Sequence, residues 1–134
     1  MLGARYPIGP PNIGDNMINL MVKSKIHRAT VTDANLNYRG SITIGREMME
    51  AAKLRPYEFV HVNNLSNAVH WETYVIPGKT GEICLNGPPA RLFQPSDKVV
   101  ILGFSYLQES EMETFEHVDV MVDDDNNITY LIVD

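Results

Sequence analysis

Only one cysteine, Cys84, stands among the 134 residues. No disulfide can form within the chain, and a reducing compartment is expected. No apolar run approaches the ~20 residues that a membrane helix needs. The N-terminus lacks the basic-then-apolar layout of a secretory signal. Together these absences predict a soluble, cytoplasmic protein without a membrane partner. Basic residues are missing from the end of the chain. All 11 Lys and Arg lie at or before Lys98, while the last 36 residues hold nine of the 17 acids. A net charge of −6 without a basic stripe argues against a nucleic-acid partner. The more basic first part suits an anionic small molecule; the plainer reading is a solvated acidic face. Familiar motifs are absent too: no P-loop, no GxGxxG after a strand, no HExxH and no nucleophile elbow. His27, His61, His70 and His117 have no metal-ligand spacing, so no metal is expected.

What remains is an ordinary globular mix, 44% hydrophobic and 21% charged, enough for one domain with a core. Residues 1–16 hold several Gly and Pro and no periodicity, which predicts a disordered tail. Residues 17–134 are expected to form a single domain. Alternation predicts strands at Ile18–Val22, Ala29–Val31 and Ile42–Ile44. A helix is expected over 46–54, with Met48, Met49 and Ala52 on one face and Pro56 as its stop. Strands near 58–63 and 68–76 follow, then a turn at Pro77-Gly78 and a strand at 82–85. Asn86-Gly87-Pro88-Pro89 is a second turn signal. Residues 98–107 read as a buried strand, 109–115 as a helical turn, and 118–122 with 128–133 as a hairpin. Many short strands with one or two short helices predict a mainly β fold, a compact barrel.

One string is specific. Lys25-Ile26-His27-Arg28-Ala29-Thr30-Val31-Thr32 precedes Ala34-Asn35-Leu36-Asn37-Tyr38-Arg39-Gly40-Ser41-Ile42-Thr43-Ile44. Glu72-Thr73-Tyr74-Val75-Ile76, Gly81-Glu82-Ile83-Cys84-Leu85-Asn86-Gly87 and Val99-Val100-Ile101 follow in order. This ordered set, from Met17 to about Leu107, resembles the pyruvoyl-dependent aspartate 1-decarboxylase family. The resemblance implies a double-psi β-barrel, a homotetramer with sites between subunits, and a small amino-acid substrate. By default that substrate is L-aspartate, converted to β-alanine for pantothenate supply. A maturation partner is a further candidate. The cofactor implied is a pyruvoyl group made from Ser41 by self-cleavage after Gly40, with neither metal nor pyridoxal phosphate.

In such a family the serine hydroxyl attacks the preceding carbonyl, and elimination and hydrolysis leave a ketone. That ketone takes the substrate amine as a Schiff base and accepts electrons as carbon dioxide leaves. Gly40 suits the attack because glycine tolerates strained backbone. By resemblance, Thr73 stabilises the oxyanion on Gly40 and Tyr74 returns the proton. Lys25 draws in substrate carboxylate, His27 and Tyr38 line the site, and Asn86 and Gly87 form the turn that holds the cofactor region. Strand phase puts His70 and Tyr74 on one face and Thr73 on the other. Thr73 and Tyr74 would then serve one site only through a bulge or a boundary between strands or subunits.

Two positions depart from the family. His70 stands where relatives carry arginine, and a histidine lacks the rigid, permanently charged fork that grips carboxylate. Pro88-Pro89 replaces two small residues and removes two backbone donors. Both changes weaken a carboxylate clamp, so a different small amino acid is the alternative substrate. An uncleaved barrel acting as a binding module is the alternative from another class. Taken singly, the same residues have plainer readings: Gly40-Ser41 as a turn, Lys25 as a surface charge, Tyr74 as a half-buried strand tyrosine, His27 as a structural histidine.

Overall fold

The computed structural model describes Gly3 and residues 17–134. The tail expected over 1–16 lies, Gly3 apart, outside the described residues. The elements are β1 (Ile18–Thr30), β2 (Asp33–Asn35), β3 (Ser41–Gly45), α1 (Arg46–Ala51), β4 (Phe59–Asn64), β5 (His70–Gly78) and β6 (Ile83–Asn86). A 3-10 turn (Pro88–Arg91), β7 (Lys98–Gln108), a 3-10 segment (Glu109–Thr114), β8 (Val118–Val122) and β9 (Ile128–Val133) complete the order.

The strands join in the order β2-β6-β3-β5-β4-β7-β1-β8-β9. Parallel pairs β1/β8, β2/β6 and β3/β5 are set among five antiparallel ones. This is the mainly β, double-psi barrel architecture that the sequence resemblance implied. Its core takes the inward residues of nearly every strand, including Ile26, Ile42, Ile44, Val60, Val62 and Ile101, all at most 1% exposed. Met48, Met49 and Ala52 of the helical segment are buried over it, as their spacing predicts.

Strand β2 (Asp33–Asn35) lies outside the strands expected from the sequence, and three further departures each have a local reason. The two strands expected over 18–31 are one strand, β1, bent at bulges between Val22 and Ser24 and between Ile26 and Ala29. Arg28, at φ 60°, absorbs the second bend. The helix ends at Ala51, well before Pro56. Lys53 turns left-handed at φ 57°, Lys53 N donates to Glu50 O and Leu54 N to Met49 O. That is a Schellman closure, with Leu54 and Met49 as its buried hydrophobic pair. Pro77-Gly78 is not a turn but the end of β5, paired in parallel with Ile44-Gly45. The chain reverses one step later, with Lys79 O accepting from Glu82 N.

The 118–133 hairpin forms as expected and is fastened by one side chain. Asn126, 1% exposed and at φ 63°, donates to Thr30 O and Gly81 O, each at 2.8 Å. Its Oδ1 accepts from Thr30 N at 2.7 Å. The loop thereby bridges β1 and the β5–β6 turn.

Candidate active site

Ser41 opens β3 immediately after an exposed stretch, residues 35–40. The step from Gly40 to Ser41 therefore runs from solvent into the interior, where Ser41 is 0% exposed. Ile42 and Ile44 face the core, so the alternation of β3 turns Ser41 and Thr43 to the opposite face. Asn86 ends β6 directly across from Ser41. Its Nδ2 donates to Ser41 Oγ at 3.0 Å and to Thr43 Oγ1 at 2.9 Å. Ser41 Oγ in turn donates to Arg39 O at 3.2 Å.

The Asn86 amide is oriented from behind. Cys84 Sγ donates to Asn86 Oδ1 at 3.3 Å, leaving Nδ2 for the two hydroxyls. Burial pushes the Cys84 thiol up to about 11, with the nearby charges of Asp33 and Glu82 adding to it. The group thus remains S–H, a donor, at neutral pH.

Gly87 packs against the backbone of Gly40. Its φ is 78°, and a Cβ there would lie 2.9 Å from Gly40 Cα and 3.1 Å from Tyr38 O. Gly87 N donates to Asn35 O at 2.7 Å. Only glycine allows both this conformation and this approach. Pro88 and Pro89 begin the 3-10 turn at the positions that have no intrahelical N–H partner. They cost the fold no hydrogen bond, while leaving that turn without two amide donors.

Tyr74 comes in from the other side. Ile42 pairs in parallel with Val75, and one step back in that register sets Ser41 beside Tyr74. Its ring stacks on Tyr57, centroids 6.0 Å apart. Thus Gly40, Ser41, Tyr74, Asn86, Gly87 and the exposed Tyr38 gather around β6-β3-β5. Thr73 does not share their face. The pairing of β4 with β5 is unbroken from Asn63–His70 to Phe59–Tyr74, so Thr73 and Tyr74 alternate, with no bulge between them.

Lys25, His27 and His70 take no part in the hydrogen bonds around Ser41. Lys25 and His27 are on β1, which β7, β4 and β5 separate from β3 in the sheet. Lys25 is half-buried opposite Asp119. His70 starts β5, four residues before Tyr74, with its Nδ1 2.6 Å from Asn63 Oδ1. Sequence spacing concealed a further group. His61, Glu72 and His70 meet across β4 and β5, with ligand-type atoms all within 4.8 Å of one another. The signal that would have revealed it is strand register, which pairs His61 with Glu72.

The family model for aspartate decarboxylase matches residues 17–129. The chain belongs to that family. An aspartate 1-decarboxylase of Dehalococcoides mccartyi is 53% identical over 81% of this chain and 90% of its own length. One of Pelotomaculum thermopropionicum is 53% identical over 84% of this chain and 86% of its own. One of Aliarcobacter butzleri is 47% identical over 81% of this chain and 87% of its own. The match spans every element from β1 into β9, including each residue of the Ser41 group. Among the described residues, no helix is long and apolar enough to cross a membrane.

Proposed function

We propose that this chain is an aspartate 1-decarboxylase that converts L-aspartate to β-alanine and carbon dioxide, using a pyruvoyl group cut from its own backbone. Residues 17–134 would be its single catalytic domain, acting in the cytoplasm. The observation that carries this reading is the Ser41 hydroxyl, buried between the Asn86 amide and the Arg39 carbonyl and set directly after a glycine. Relatives named for aspartate favour that substrate over another small amino acid, and favour an enzyme over an uncleaved binding module.

Maturation uses the chain's own atoms. Ser41 Oγ attacks the Gly40 carbonyl carbon, the Gly40–Ser41 C–N bond breaks, and the hydroxyl proton passes to the freed amine. Loss of the Ser41 Cα proton expels Gly40 as a carboxylate. One water then hydrolyses the remaining enamine to a ketone and ammonia. Asn86 Nδ2 orients Oγ through the first step, and Gly87 keeps the Gly40 backbone close. By resemblance Thr73 would steady charge on the Gly40 oxygen; because it faces away from Ser41 in its own chain, it would do so only across a boundary between strands or subunits. An exposed turn before Ser41 also gives a maturation partner something to hold.

Once formed, the pyruvoyl group supplies an electron sink when substrate loses carbon dioxide. A buried position lined by hydroxyl and amide side chains fits a small ketone and its neighbouring amide. Tyr74 would return a proton to the substrate carbon, with Lys25, His27, Tyr38 and His70 holding substrate. Lys25 and His27 lie on β1, with β5, β4 and β7 between it and β3 in the sheet order; a site completed by a neighbouring copy would accommodate that placement. A homotetramer is consistent with the exposed Ile18, Leu20, Tyr130, Leu131, Ile132 and Val133, too apolar to leave wet.

Intact-mass measurement tests the proposal. Folded protein should separate into two chains, the larger bearing a ketone and releasing carbon dioxide from L-aspartate. Ser41→Ala should remain one chain. A parent protein that stays in one piece after long incubation would end the assignment.

A further inference from the structure

His61, His70 and Glu72 project from the outward face of β4 and β5. His61 Nε2 is 3.0 Å from Glu72 Oε1, and His70 Nε2 is 3.8 Å from the same oxygen. The second distance is too long for a hydrogen bond. An amide oxygen only accepts, so the 2.6 Å contact with Asn63 Oδ1 suits the tautomer with its proton on Nδ1. In that tautomer the Nε2 lone pair lies 3.8 Å from Glu72 Oε1, which leaves both atoms free to ligate a cation. Metal-bound histidines characteristically donate their second ring N–H to such an acceptor.

The dimensions fit a small ion. Zinc bonds of ~2.0–2.2 Å in tetrahedral geometry place ligand atoms about 3.3 Å apart. Two of the three separations, 3.0 and 3.8 Å, bracket that value; the three ligand atoms together spread over as much as 4.8 Å, so the side chains would draw in by about 1 Å around an ion. The His61 ring is held edge-on between Phe59 and Phe104, with centroids 5.4 and 4.6 Å away. It also meets the His70 ring at 4.8 Å and 84°. Beside it opens a cleft of about 400 Å³ lined by Leu20, Phe59, His61, Phe104 and Tyr106, among others.

We infer that His61, His70 and Glu72 form a binding site for a zinc-class divalent cation, with a coordination position open to water or a carboxylate. Two nitrogens and one carboxylate suit zinc and its neighbours over magnesium or calcium, which prefer oxygen. Insofar as His70 belongs to the proposed substrate site, the ion would supply the fixed positive charge that histidine lacks beside arginine. The metal site itself needs neither cleavage nor substrate.

Binding is therefore measured on uncleaved Ser41→Ala protein stripped with a chelator, so that it fails or succeeds separately from the decarboxylase reading. Titration with cobalt(II), followed by visible absorption and then by zinc displacement, should saturate at one ion per chain. His61→Gln and Glu72→Gln should each weaken binding at least tenfold, and His27→Gln should not. Histidine ring correlations in the nuclear magnetic resonance spectrum give a second readout that needs no variant. Zinc should shift the His61 and His70 rings and leave His27 and His117 in place. Absence of saturable binding, equal weakening by His27→Gln, or shifts at all four rings or none would overturn the site.

Discussion

The Asn86 amide nitrogen lies 3.0 Å from Ser41 Oγ, and the same nitrogen reaches Thr43 Oγ1 at 2.9 Å. One side chain on β6 therefore sets the direction of two hydroxyls on β3. The register that pairs Ser41 with Asn86 fixes the hydroxyl before any chemistry begins. The Ser41 hydroxyl is aimed by a sheet, not by a flexible loop.

Replacing Asn86 with alanine should slow self-cleavage while leaving the fold in place. A lost hydrogen bond in a buried setting costs about 1–3 kcal/mol. If that cost falls wholly on the reacting geometry, cleavage slows roughly 5- to 150-fold. The fraction of intact chain is followed over time by denaturing gel, with circular dichroism to check folding. A variant that folds and matures at the parental rate would remove Asn86 from the site.

Cys84 should act through Asn86. Its thiol donates to Asn86 Oδ1, and burial, aided by the charges of Asp33 and Glu82, pushes its pKa up to about 11. Folded protein at pH 8 should therefore resist a thiol reagent that labels the unfolded chain fully. Cys84→Ala frees the Asn86 amide to turn over and should slow cleavage several-fold. Cys84→Ser retains a donor and should recover most of the rate. Equal rates in the two variants would mean that Cys84 only fills space.

Much of this site was legible in the sequence because its residues are close along the chain or in a recognisable order. Tyr38 to Ser41 and Asn86-Gly87 each form a local string, and Tyr74 lies within another, whereas its neighbour Thr73 faces the other way. The orienting bond from Cys84 was not legible: a lone buried cysteine reads as packing, and only the β6 alternation places it behind Asn86. The same limit hid His61, because its partners His70 and Glu72 are joined to it by strand register. Element boundaries failed where backbone conformation departs from type. Arg28 and Lys53 sit at positive φ without being glycine, so neither the bend of β1 nor the early end of α1 carried the usual signal.

His117 should make stability depend on pH. Its Nδ1 faces Val22 O and its Nε2 faces Asp119 Oδ1, both at 2.8 Å. Only the cation donates from both nitrogens. The bond to Val22 O raises its pKa above 6.5, with Asp119 adding to the rise; burial and Lys25 oppose it. Because the folded value lies above the unfolded one, the stabilisation is complete below about 6.5 and fades as pH climbs through the folded value. Urea unfolding of the parent and His117→Gln should show a gap at pH 5.5 that narrows at pH 8.5. A gap of constant size would mean that His117 does not titrate in this range.

Asn126 carries the largest predicted stability loss outside the apolar core. Three hydrogen bonds of 2.7–2.8 Å converge on its side chain, and their partners belong to β1 and to the turn after β5. Alanine would strand Thr30 N and two carbonyls in a closed space and would also suffer at φ 63°. Glycine would accept the backbone conformation but supply none of the bonds. At about 1–3 kcal/mol for a buried group left unpaired, Asn126→Ala should cost roughly 3–5 kcal/mol. Asn126→Gly should recover only the backbone part, about 1 kcal/mol. Chemical denaturation on Ser41→Ala protein avoids interference from cleavage. A loss below 1 kcal/mol for the alanine variant would mean that the hairpin is held by its own pairing with β1, and that Asn126 is not its fastening.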